Sequence, residues 1–390
     1  MYKVKILNNI RSTALGDLDS SKYEVSTEIE SPEAIILRSA KLHDMEFNPE
    51  LLCIARAGAG VNNIPIDRCA DEGIVVFNTP GANAEGVKEL VLASMFLSSR
   101  DILGGIDWVK TIASEGDEVP AMVEKQKAKY VGPEILGKTL GVVGLGAIGA
   151  KVAGAAAALG MKVYGYDPYI SVEAAWKLPS DIIPAKELDT IYSNCDYISL
   201  HVPYIKTSTH HLINKDSIAK MKQGVRVINI SRAELVCDDD MIEALASGKV
   251  TRYVTDFPNG KTAGVPGIIA IPHLGASTPE SEENCVTMAC CEIAEYIENG
   301  NIINSVNMPG AYIARTGDPR LCVIHDNIPE MIAKMTAAIS ACGVNIENMI
   351  NASTKGRVNS YSMFDVSAIP GGLVEAISGI SGVTRVRALL

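Results

Sequence analysis

Short apolar runs alternate with helix-length amphipathic segments along most of the chain. The first runs are KVKIL, AIILRSA, LLCIARAG and IVVFNTPG. After residue 167 come Ile182 with Ile183, then CDYISLHVP, VRVINISR, RYVTDFP and IIAIPHLGAST. Strands separated by helices predict parallel sheets that are covered by helices on both faces. The pattern therefore predicts an α/β protein with two doubly wound parallel-sheet, Rossmann-like domains.

Helical segments lie between and after these strands. Residues 85–100 predict a helix with one apolar side. A second helix is predicted over residues 280–298, which a proline opens and an Asn-Gly pair closes. Residues 101–138 are more polar and should hold most of a helix and a loop.

The last 70 or so residues follow a different order of elements. Strand LCVIHDN precedes helix IPEMIAKMTAAISACG, strands NIENMINAST and VNSYSMFDVSA, helix GLVEAISGIS and strand VTRVRAL. A βαββαβ order is that of a ferredoxin-like unit. We therefore expect a third domain over residues 318–390.

A glycine-rich turn lies between two predicted strands and opens an alanine-rich helix. Gly144, Gly146 and Gly149 fit G-x-G-x-x-G, and the second strand stops at Asp167, 18 residues past the third glycine (167 − 149). In this motif the first glycine makes the tight turn, the second lets the backbone approach a pyrophosphate, and the third lets helix and strand pack closely. The complete unit predicts a dinucleotide site.

The same unit indicates which dinucleotide is bound. Ala147 and Ile148 should offer backbone N–H groups to the pyrophosphate at the helix N-terminus. The carboxylate of Asp167 can accept hydrogen bonds from both ribose hydroxyls and would repel a 2′-phosphate. We therefore expect NAD rather than NADP.

Composition narrows the possible partners and compartments. The formal net charge is −11, which disfavours nucleic acid or an anionic membrane as a partner of the whole surface. No apolar run approaches the roughly 18 residues of a membrane span, and the start MYKVKILNNI lacks a signal peptide's apolar core. The nine cysteines are scattered without a C-x-x-C pair, which gives a metal site little support and suits a reducing compartment. We expect a cytoplasmic protein that binds no nucleic acid, membrane or metal.

Several motifs occur together in an order that belongs to a known family. RAGAGVNN, NTPGAN, GLGAIG with Asp167, HVP, NISR and PHLGAST follow one another as in the D-isomer-specific 2-hydroxyacid dehydrogenases. The chain resembles this family over essentially its whole length. The resemblance implies a discontinuous substrate-binding domain over residues 1–97 and 277–312, with an NAD-binding domain over residues 98–276 inserted in it. It also implies a homodimer or homotetramer that oxidises a small 2-hydroxy acid.

Hydride transfer from a secondary alcohol needs a base for the hydroxyl proton and a cation for the carboxylate. His273, at the strand end in IPHLGAST, is the expected acid/base because imidazole titrates near neutrality. Its alternative is a structural histidine. Arg232, in NISRAE, is expected to grip the carboxylate with its guanidinium fork, and its alternative is a surface salt bridge.

Two departures from the family pattern affect these residues. Ala233 stands where the family usually has glycine after the arginine. The family also carries a glutamate that orients the catalytic histidine, whereas this chain reads TDFPNGKTAGVPG, with Lys261 near that position and no carboxylate between Asp256 and His273. The partner of the histidine stays open at this point. The candidates are Asp256, Glu280, Glu282 and Glu283.

The resemblance assigns further contacts by position. Nucleotide contacts are expected at Thr79, Val202, Pro203, Ser231, Asp256 and Gly275. The exits of two first-domain strands are candidate walls of the substrate site, at Arg56, Gly58, Asn78 and Gly81. Arg56 is the best placed cation for a substrate phosphate, Lys88 is a weaker second, and Lys261 is a third option. We therefore expect a phosphorylated 2-hydroxy acid as substrate.

The C-terminal unit resembles the ACT domain, a regulatory module that often pairs between subunits and binds an amino acid. The resemblance assigns L-serine as effector to His325, Asn327 and Asn345, the first and last being 20 residues apart (345 − 325). Asparagine amides can serve both ends of a zwitterion. Glu330 stands where the motif usually has glycine, and a purely structural dimerisation domain is the alternative.

Two rival functions remain at the level of sequence. The substrate could be another D-2-hydroxy acid, such as the product of reducing glyoxylate or hydroxypyruvate. The protein could also be a non-catalytic NAD-binding scaffold of the corepressor type, which the missing glutamate would explain.

Overall fold

The structure is a computed structural model, and it describes residues 1–8, 10, 12–354 and 358–390. The chain divides into two compact units, one of residues 1–82 with 282–390 and one of residues 83–281. Two parallel sheets and a C-terminal antiparallel sheet confirm the predicted fold class. No helix in these described ranges has both the length and the apolar character needed to cross a membrane.

The first unit contains a five-stranded parallel sheet in the order β2-β1-β3-β4-β5. Its elements are β1 (Tyr2–Ile6), β2 (Tyr23–Ser26), β3 (Ala34–Leu37), β4 (Cys53–Arg56), α1 (Ile66–Asp71) and β5 (Val75–Asn78), with a 3₁₀ turn at Ser12–Asp17. Strand β2 was not predicted. It lies at the edge of the sheet and only Tyr23 is fully buried, so its sequence shows no apolar run.

The second unit contains a seven-stranded parallel sheet in the order β12-β11-β10-β9-β6-β7-β8. Its strands are β6 (Thr139–Val143), β7 (Lys162–Tyr166), β8 (Ile183–Pro184), β9 (Tyr197–Leu200), β10 (Val225–Asn229), β11 (Val250–Thr255) and β12 (Ile268–Ala270). The strand order reverses at β6 and β9. Ligands of open α/β sheets bind outside the carboxyl ends of strands at such a point.

Eight helices surround this sheet in the described part of the second unit. They are α2 (Ala84–Ser99), α3 (Ile102–Thr111), α4 (Val119–Gln126), α5 (Ala147–Ala158), α6 (Val172–Trp176), α7 (Leu188–Asn194), α8 (Lys215–Lys220) and α9 (Asp238–Ala246), with 3₁₀ turns at Ala113–Glu118, Lys127–Tyr130 and Ala233–Leu235. The polar residues 101–138 are thus more helical than predicted. Helix α10 (Pro279–Ala294) follows and ends in a π turn (Glu295–Asn299) before Gly300, whose φ of 75° is left-handed.

The C-terminal segment has the predicted βαββαβ order. Its elements are β13 (Arg320–Asp326), α11 (Met331–Ala341), β14 (Ile346–Ser353), β15 (Asn359–Val366), α12 (Leu373–Ser378) and β16 (Val383–Leu389). The four strands are antiparallel in the order β14-β15-β13-β16.

Both faces of the C-terminal sheet are used for packing. Leu321, Val323 and Phe364 face α11 and α12 in one core. The alternate positions Cys322 and Ile324 belong to the same core as residues of α10 and of the five-stranded sheet. The C-terminal module is therefore part of the first compact unit.

Candidate active site

Three candidate residues of the second unit follow three neighbouring strands. Arg232 lies just after β10, Asp256 directly after β11 and His273 just after β12. These strands are parallel neighbours, so their carboxyl ends share one edge of the sheet. The sequence motifs are brought together here because each ends a strand.

The backbone of His273 has an unusual conformation. Its φ is 45°, in the left-handed region that few residues other than glycine adopt. Its N–H lies 3.0 Å from both the Asp256 carbonyl and the Ile271 carbonyl, and its ring centroid lies 4.8 Å from that of Phe257. Strained conformations of this kind are concentrated at functional sites. The imidazole itself is exposed.

Asp256 is the acid that faces His273 and Arg232. Its side chain is buried, Oδ2 accepts a hydrogen bond of 3.2 Å from Gly275 N, and Oδ1 has no hydrogen-bond partner among the described residues. Burial raises the pKa of this carboxyl, while the Gly275 N–H and the charges of His273 and Arg232 act in the opposite direction. The carboxyl therefore lies within electrostatic range of both candidate catalytic groups.

Two other residues considered around the histidine form ion pairs elsewhere. Glu282, one of the candidate acids, pairs with Arg38. Lys261, which stands near the position of the family glutamate, pairs with Asp239 at 2.9 Å on the surface. In the described ranges no carboxylate is hydrogen-bonded to the imidazole of His273. No described carboxylate therefore takes the place of the family glutamate in direct contact with the imidazole.

A cavity of about 420 Å³ opens at these strand ends. It is lined by Ala233, Asp256, Phe257, Pro258, Asn259, Pro272 and His273. Sequence reasoning did not select Phe257, although an aromatic residue directly after a strand-end acid is a signal that could have found it. Its ring gives the imidazole an apolar neighbour.

The glycine turn fits a dinucleotide backbone. A Cβ at Gly149 would lie 1.9 Å from the Gly144 carbonyl oxygen, and one at Gly144, whose φ is 93°, would lie 2.6 Å from the His201 carbonyl oxygen. A Cβ at Gly146 would meet nothing within 4 Å. Two glycines are therefore required by packing, and the middle one leaves open space for a pyrophosphate.

The surroundings of this turn complete the fit. Gly146 is the N-cap of α5 and brings no side chain, so the N–H groups of Ala147 and Ile148 are not capped by a side chain. Asp167 accepts hydrogen bonds of 2.9 Å from Leu145 N and from Tyr169 N. The acid thereby ties the turn to the end of β7, where a ribose would lie.

The remaining nucleotide candidates are divided between the two units. Ser231 Oγ donates to the Val202 carbonyl at 3.0 Å, and the Pro203 carbonyl accepts from Thr209 Oγ1 at 2.8 Å, at the ends of β10 and β9. Thr79 instead belongs to the first unit and is completely buried there. Its backbone N–H donates to the Gly58 carbonyl at 3.2 Å.

The substrate candidates of the first unit lie on two adjacent loops. Arg56 ends β4 and Asn78 ends β5, and these strands are parallel neighbours. Asn78 Nδ2 donates to the Ala59 carbonyl at 2.6 Å, which ties the loops together. Gly81 has a left-handed φ of 83°. A Cβ at Gly58 would lie 2.3 Å from Arg56 Nη1, so this glycine makes room for the guanidinium.

Arg38 is a second cation at this edge that sequence reasoning missed. It follows β3, which pairs with β4, and its carbonyl accepts from Arg56 Nε at 3.1 Å. The signal was available, because AIILR ends in arginine in the same way as CIAR. Lys88, the weaker phosphate candidate, lies in the second unit and pairs with Glu85.

The three effector candidates have different surroundings. His325 is buried, with Nδ1 at 2.8 Å from the Asp326 carbonyl and Nε2 at 2.9 Å from Ser362 Oγ. Asn327 and Asn345 are exposed, and Asn345 Nδ2 donates to Glu347 Oε1 at 2.8 Å. No hydrogen bond joins the three side chains to one another in the described part of the chain.

One family model matches the chain. Residues 92–275 match the model described as "D-isomer specific 2-hydroxyacid dehydrogenase, NAD binding domain". The matched segment contains the glycine turn, Arg232, Asp256 and His273.

Named relatives include two kinds of enzyme. The chain is 37% identical over 273 residues to a hydroxypyruvate reductase of Thermotoga maritima, which covers 67% of this chain and 83% of that protein. It is 31% identical over 327 residues to a D-3-phosphoglycerate dehydrogenase of Bacillus subtilis, which covers 79% of this chain and 59% of that protein. The chain thus spans between half and three fifths of the length of the phosphoglycerate dehydrogenases that it matches.

Solved structures share the fold. NAD⁺-bound 3-phosphoglycerate dehydrogenase of Entamoeba histolytica is 26% identical, with a TM-score of 0.58 over 78% of this chain and 98% of that one. The holo form of D-mandelate dehydrogenase of Rhodotorula graminis is 24% identical, with a TM-score of 0.65 over 81% of this chain and 99% of that one. The second likeness concerns the fold alone.

Proposed function

The chain belongs to the D-isomer-specific 2-hydroxyacid dehydrogenases, and we propose that within this family it oxidises 3-phospho-D-glycerate to 3-phosphohydroxypyruvate with NAD, the first step of L-serine biosynthesis. The observation that carries the choice of substrate is Arg56, which ends β4 at the exit of the neighbouring strand β3. Guanidinium groups bind phosphate with paired, charge-assisted hydrogen bonds. The likeness to named phosphoglycerate dehydrogenases supports the same choice.

The residues of the second unit divide the chemistry among them. Bound NAD would supply the hydride acceptor. His273 takes the proton from the C2 hydroxyl oxygen, and Arg232 binds the carboxylate and stabilises negative charge on the developing carbonyl oxygen. Asp256 lies close enough to stabilise the imidazolium that forms, in place of the missing glutamate. Phe257 packs beside the imidazole, with the two ring centroids 4.8 Å apart.

Initial rates of NADH oxidation test this assignment. The acids to compare are 3-phosphohydroxypyruvate, hydroxypyruvate and glyoxylate, with the wild-type chain and with His273→Asn. We expect the phosphorylated acid to be preferred, and the variant to lose about 100- to 10,000-fold in kcat while still binding NADH. Preference for hydroxypyruvate or glyoxylate would favour the reductase alternative, and no turnover with intact NADH binding would favour the scaffold.

We further propose that the C-terminal module binds L-serine as a regulatory effector. The protein would act as a homodimer or homotetramer in the cytoplasm. Asn327 and Asn345 present amides at the surface, and His325 would have to exchange its contact with Ser362 for one with the effector. Inhibition by millimolar L-serine, but not by D-serine, is expected. Equal rates with and without L-serine would contradict the sensor role and favour a purely structural module. The number of subunits is measured by light scattering.

A further inference from the structure

Glu292 is a buried acid that the proposed reaction does not use. It lies in α10 with 4% of its surface exposed. Its Oε1 accepts a hydrogen bond of 2.8 Å from Asn304 Nδ2, and its Oε2 has no hydrogen-bond partner among the described residues. A buried carboxyl with an unpaired oxygen lowers stability, so such a group in a folded protein needs an explanation.

The partner of Glu292 begins a strap along the free edge of the first sheet. We define the strap as residues Asn304–Asn307. Val306 N and Ser305 Oγ donate to the Val76 carbonyl at 2.9 and 3.1 Å, and Asn307 Oδ1 accepts from Val76 N at 2.8 Å. The strap therefore covers the outer edge of β5, which would otherwise present unpaired backbone groups.

The contacts continue from the strap to the substrate loops. Asn304 has a left-handed φ of 56°, and its carbonyl accepts from Asn78 N at 3.4 Å. Asn78 Nδ2 in turn donates to the Ala59 carbonyl at 2.6 Å. A chain of hydrogen bonds thus runs from Glu292 through Asn304 and Asn78 to the loop that follows Arg56.

We propose that Glu292 is a positioning residue, which through Asn304 holds the loops 57–60 and 78–81 in the arrangement that binds the substrate. This inference rests on the proposed function, because those loops are its substrate-binding loops. Loss of the neutral form of Glu292 would put an uncompensated charge among apolar neighbours, and the site would have to admit water or shift. The strap would then hold Asn78 less firmly, and substrate binding would weaken.

The groups around Glu292 fit this account. Burial raises the pKa of its carboxyl to about 8, with only the Asn304 amide acting in the other direction. The titratable groups in electrostatic range of it are the thiols of Cys53 on β4 and Cys291 on α10, and burial raises the pKa of both. Among the described residues no cation is close enough to stabilise the carboxylate.

Three variants separate positioning from simple structural support. Glu292→Ala removes the acceptor, and Glu292→Gln keeps it but cannot ionise. The matched control is Glu295→Ala. Glu295, three residues later, also accepts from asparagine side chains, those of Asn299 and Asn301, at 2.9 and 2.6 Å, and in the described part of the chain neither asparagine is hydrogen-bonded to β5.

Steady-state kinetics from pH 6.5 to 9.5 gives the first readout, using whichever keto acid the chain turns over. Glu292→Ala should raise the KM of the keto acid roughly tenfold, as loss of one hydrogen bond implies, with kcat and the KM of NADH nearly unchanged. The ratio of the wild-type KM of the keto acid to that of Glu292→Gln should rise above pH 8, because both proteins share His273 and only the wild type has an ionisable group at position 292. A ratio that stays constant with pH, or a Glu295→Ala variant that matches Glu292→Ala, would overturn the inference.

Hydrogen exchange gives a second readout that needs no turnover. Glu292→Ala should speed exchange in residues 74–82 and not in the central strand β3, whereas Glu295→Ala should leave residues 74–82 unchanged. Unchanged exchange at residues 74–82 in Glu292→Ala would contradict the inference. A chain that turns over no keto acid would contradict the proposed function alone, since the exchange result does not depend on catalysis.

Discussion

The guanidinium of Arg56 lies where a side chain at position 58 would have to be. A Cβ at Gly58 would come within 2.3 Å of Arg56 Nη1, whereas one at Gly60 would lie 3.9 Å from it. Gly58→Ala should therefore displace the guanidinium and raise the KM of the phosphorylated acid roughly tenfold or more, the cost of one charge-assisted hydrogen bond. Gly60→Ala controls for an added methyl group in this loop, but not for the backbone strain at Gly58, whose φ is 149°. Equal KM values in the two variants would show that Arg56 does not bind the substrate.

Two glycines of α5 should respond in opposite ways to the same substitution. A Cβ at Gly149 would lie 1.9 Å from the Gly144 carbonyl oxygen, and one at Gly154 would meet only Pro179 at 3.5 Å. Gly149→Ala should weaken NADH binding, measured by fluorescence titration, because the turn must open. Gly154→Ala should raise stability by about 0.5 to 1 kcal/mol, since alanine favours a helix interior. Unchanged NADH affinity in Gly149→Ala would argue against the dinucleotide site.

The candidate residues that the sequence predicted and those that only the structure brought out differ in where they lie. His273, Arg232 and Asp167 end strands inside recognisable motifs, so their common location followed from the parallel sheet. Glu292 lies within a helix, and an acid in a helix is ordinarily expected to face the solvent. Its burial depends on tertiary packing, which the local sequence pattern does not indicate. The sequence also did not predict that Thr79 lies in a different unit from the other nucleotide candidates, because that depends on how the chain divides into two units.

At the scale of elements, the burial of each strand or helix explains whether the hydrophobic pattern of the sequence predicted it. Strands β3, β4 and β5 are almost wholly buried and read as continuous apolar runs. Strand β2 is an exposed edge and left no such run. Helices α3 and α4 have no fully buried residue, so residues 101–138 looked polar although they are largely helical.

The buried acid of α10 should make stability depend on pH. Burial raises the pKa of Glu292 to about 8 from the ordinary value of 4.5. The folded state then holds a proton that the unfolded state releases, so the stability from this group is present below pH 4.5 and is lost as pH rises to 8. Each unit of pKa corresponds to about 1.4 kcal/mol, which makes the total loss a few kcal/mol.

Chemical denaturation of the wild type and of Glu292→Gln measures this dependence. The difference in unfolding free energy should move in favour of the variant between pH 5 and pH 8 and then stay constant. Parallel curves for the two proteins over this range would mean that Glu292 is ionised throughout.

At the scale of the whole molecule, arginines join the C-terminal sheet to the rest of the first unit. Arg320 and Asp365 form a completely buried ion pair, and Arg320 Nη1 also donates to the Asn299 and Ile313 carbonyls at 2.7 and 3.0 Å. Arg387 donates to the Tyr296 and Ile297 carbonyls at the end of α10. The module is therefore an integral part of the unit that holds the candidate substrate loops.

Breaking the buried pair tests this integration. Asp365→Asn leaves the Arg320 guanidinium without its counter-charge and should lower the free energy of unfolding by about 3 to 5 kcal/mol. Lys334→Met, which breaks an exposed pair with Glu330, should change it by less than about 1 kcal/mol. Similar losses in both variants would contradict the structural role of the buried pair.

The selection of a phosphorylated substrate by Arg56 is the central proposal. It is tested by the ratio of kcat/KM for 3-phosphohydroxypyruvate to that for hydroxypyruvate, measured with NADH in the wild type and in Arg56→Gln. We expect a wild-type ratio of roughly 10 or more, because the Arg56 guanidinium adds about 1.5 to 3 kcal/mol to phosphate binding, whereas Arg38 is already paired with Glu282. Arg56→Gln should lower the ratio at least tenfold and leave the rate with hydroxypyruvate nearly unchanged. A wild-type ratio near or below one would contradict the account.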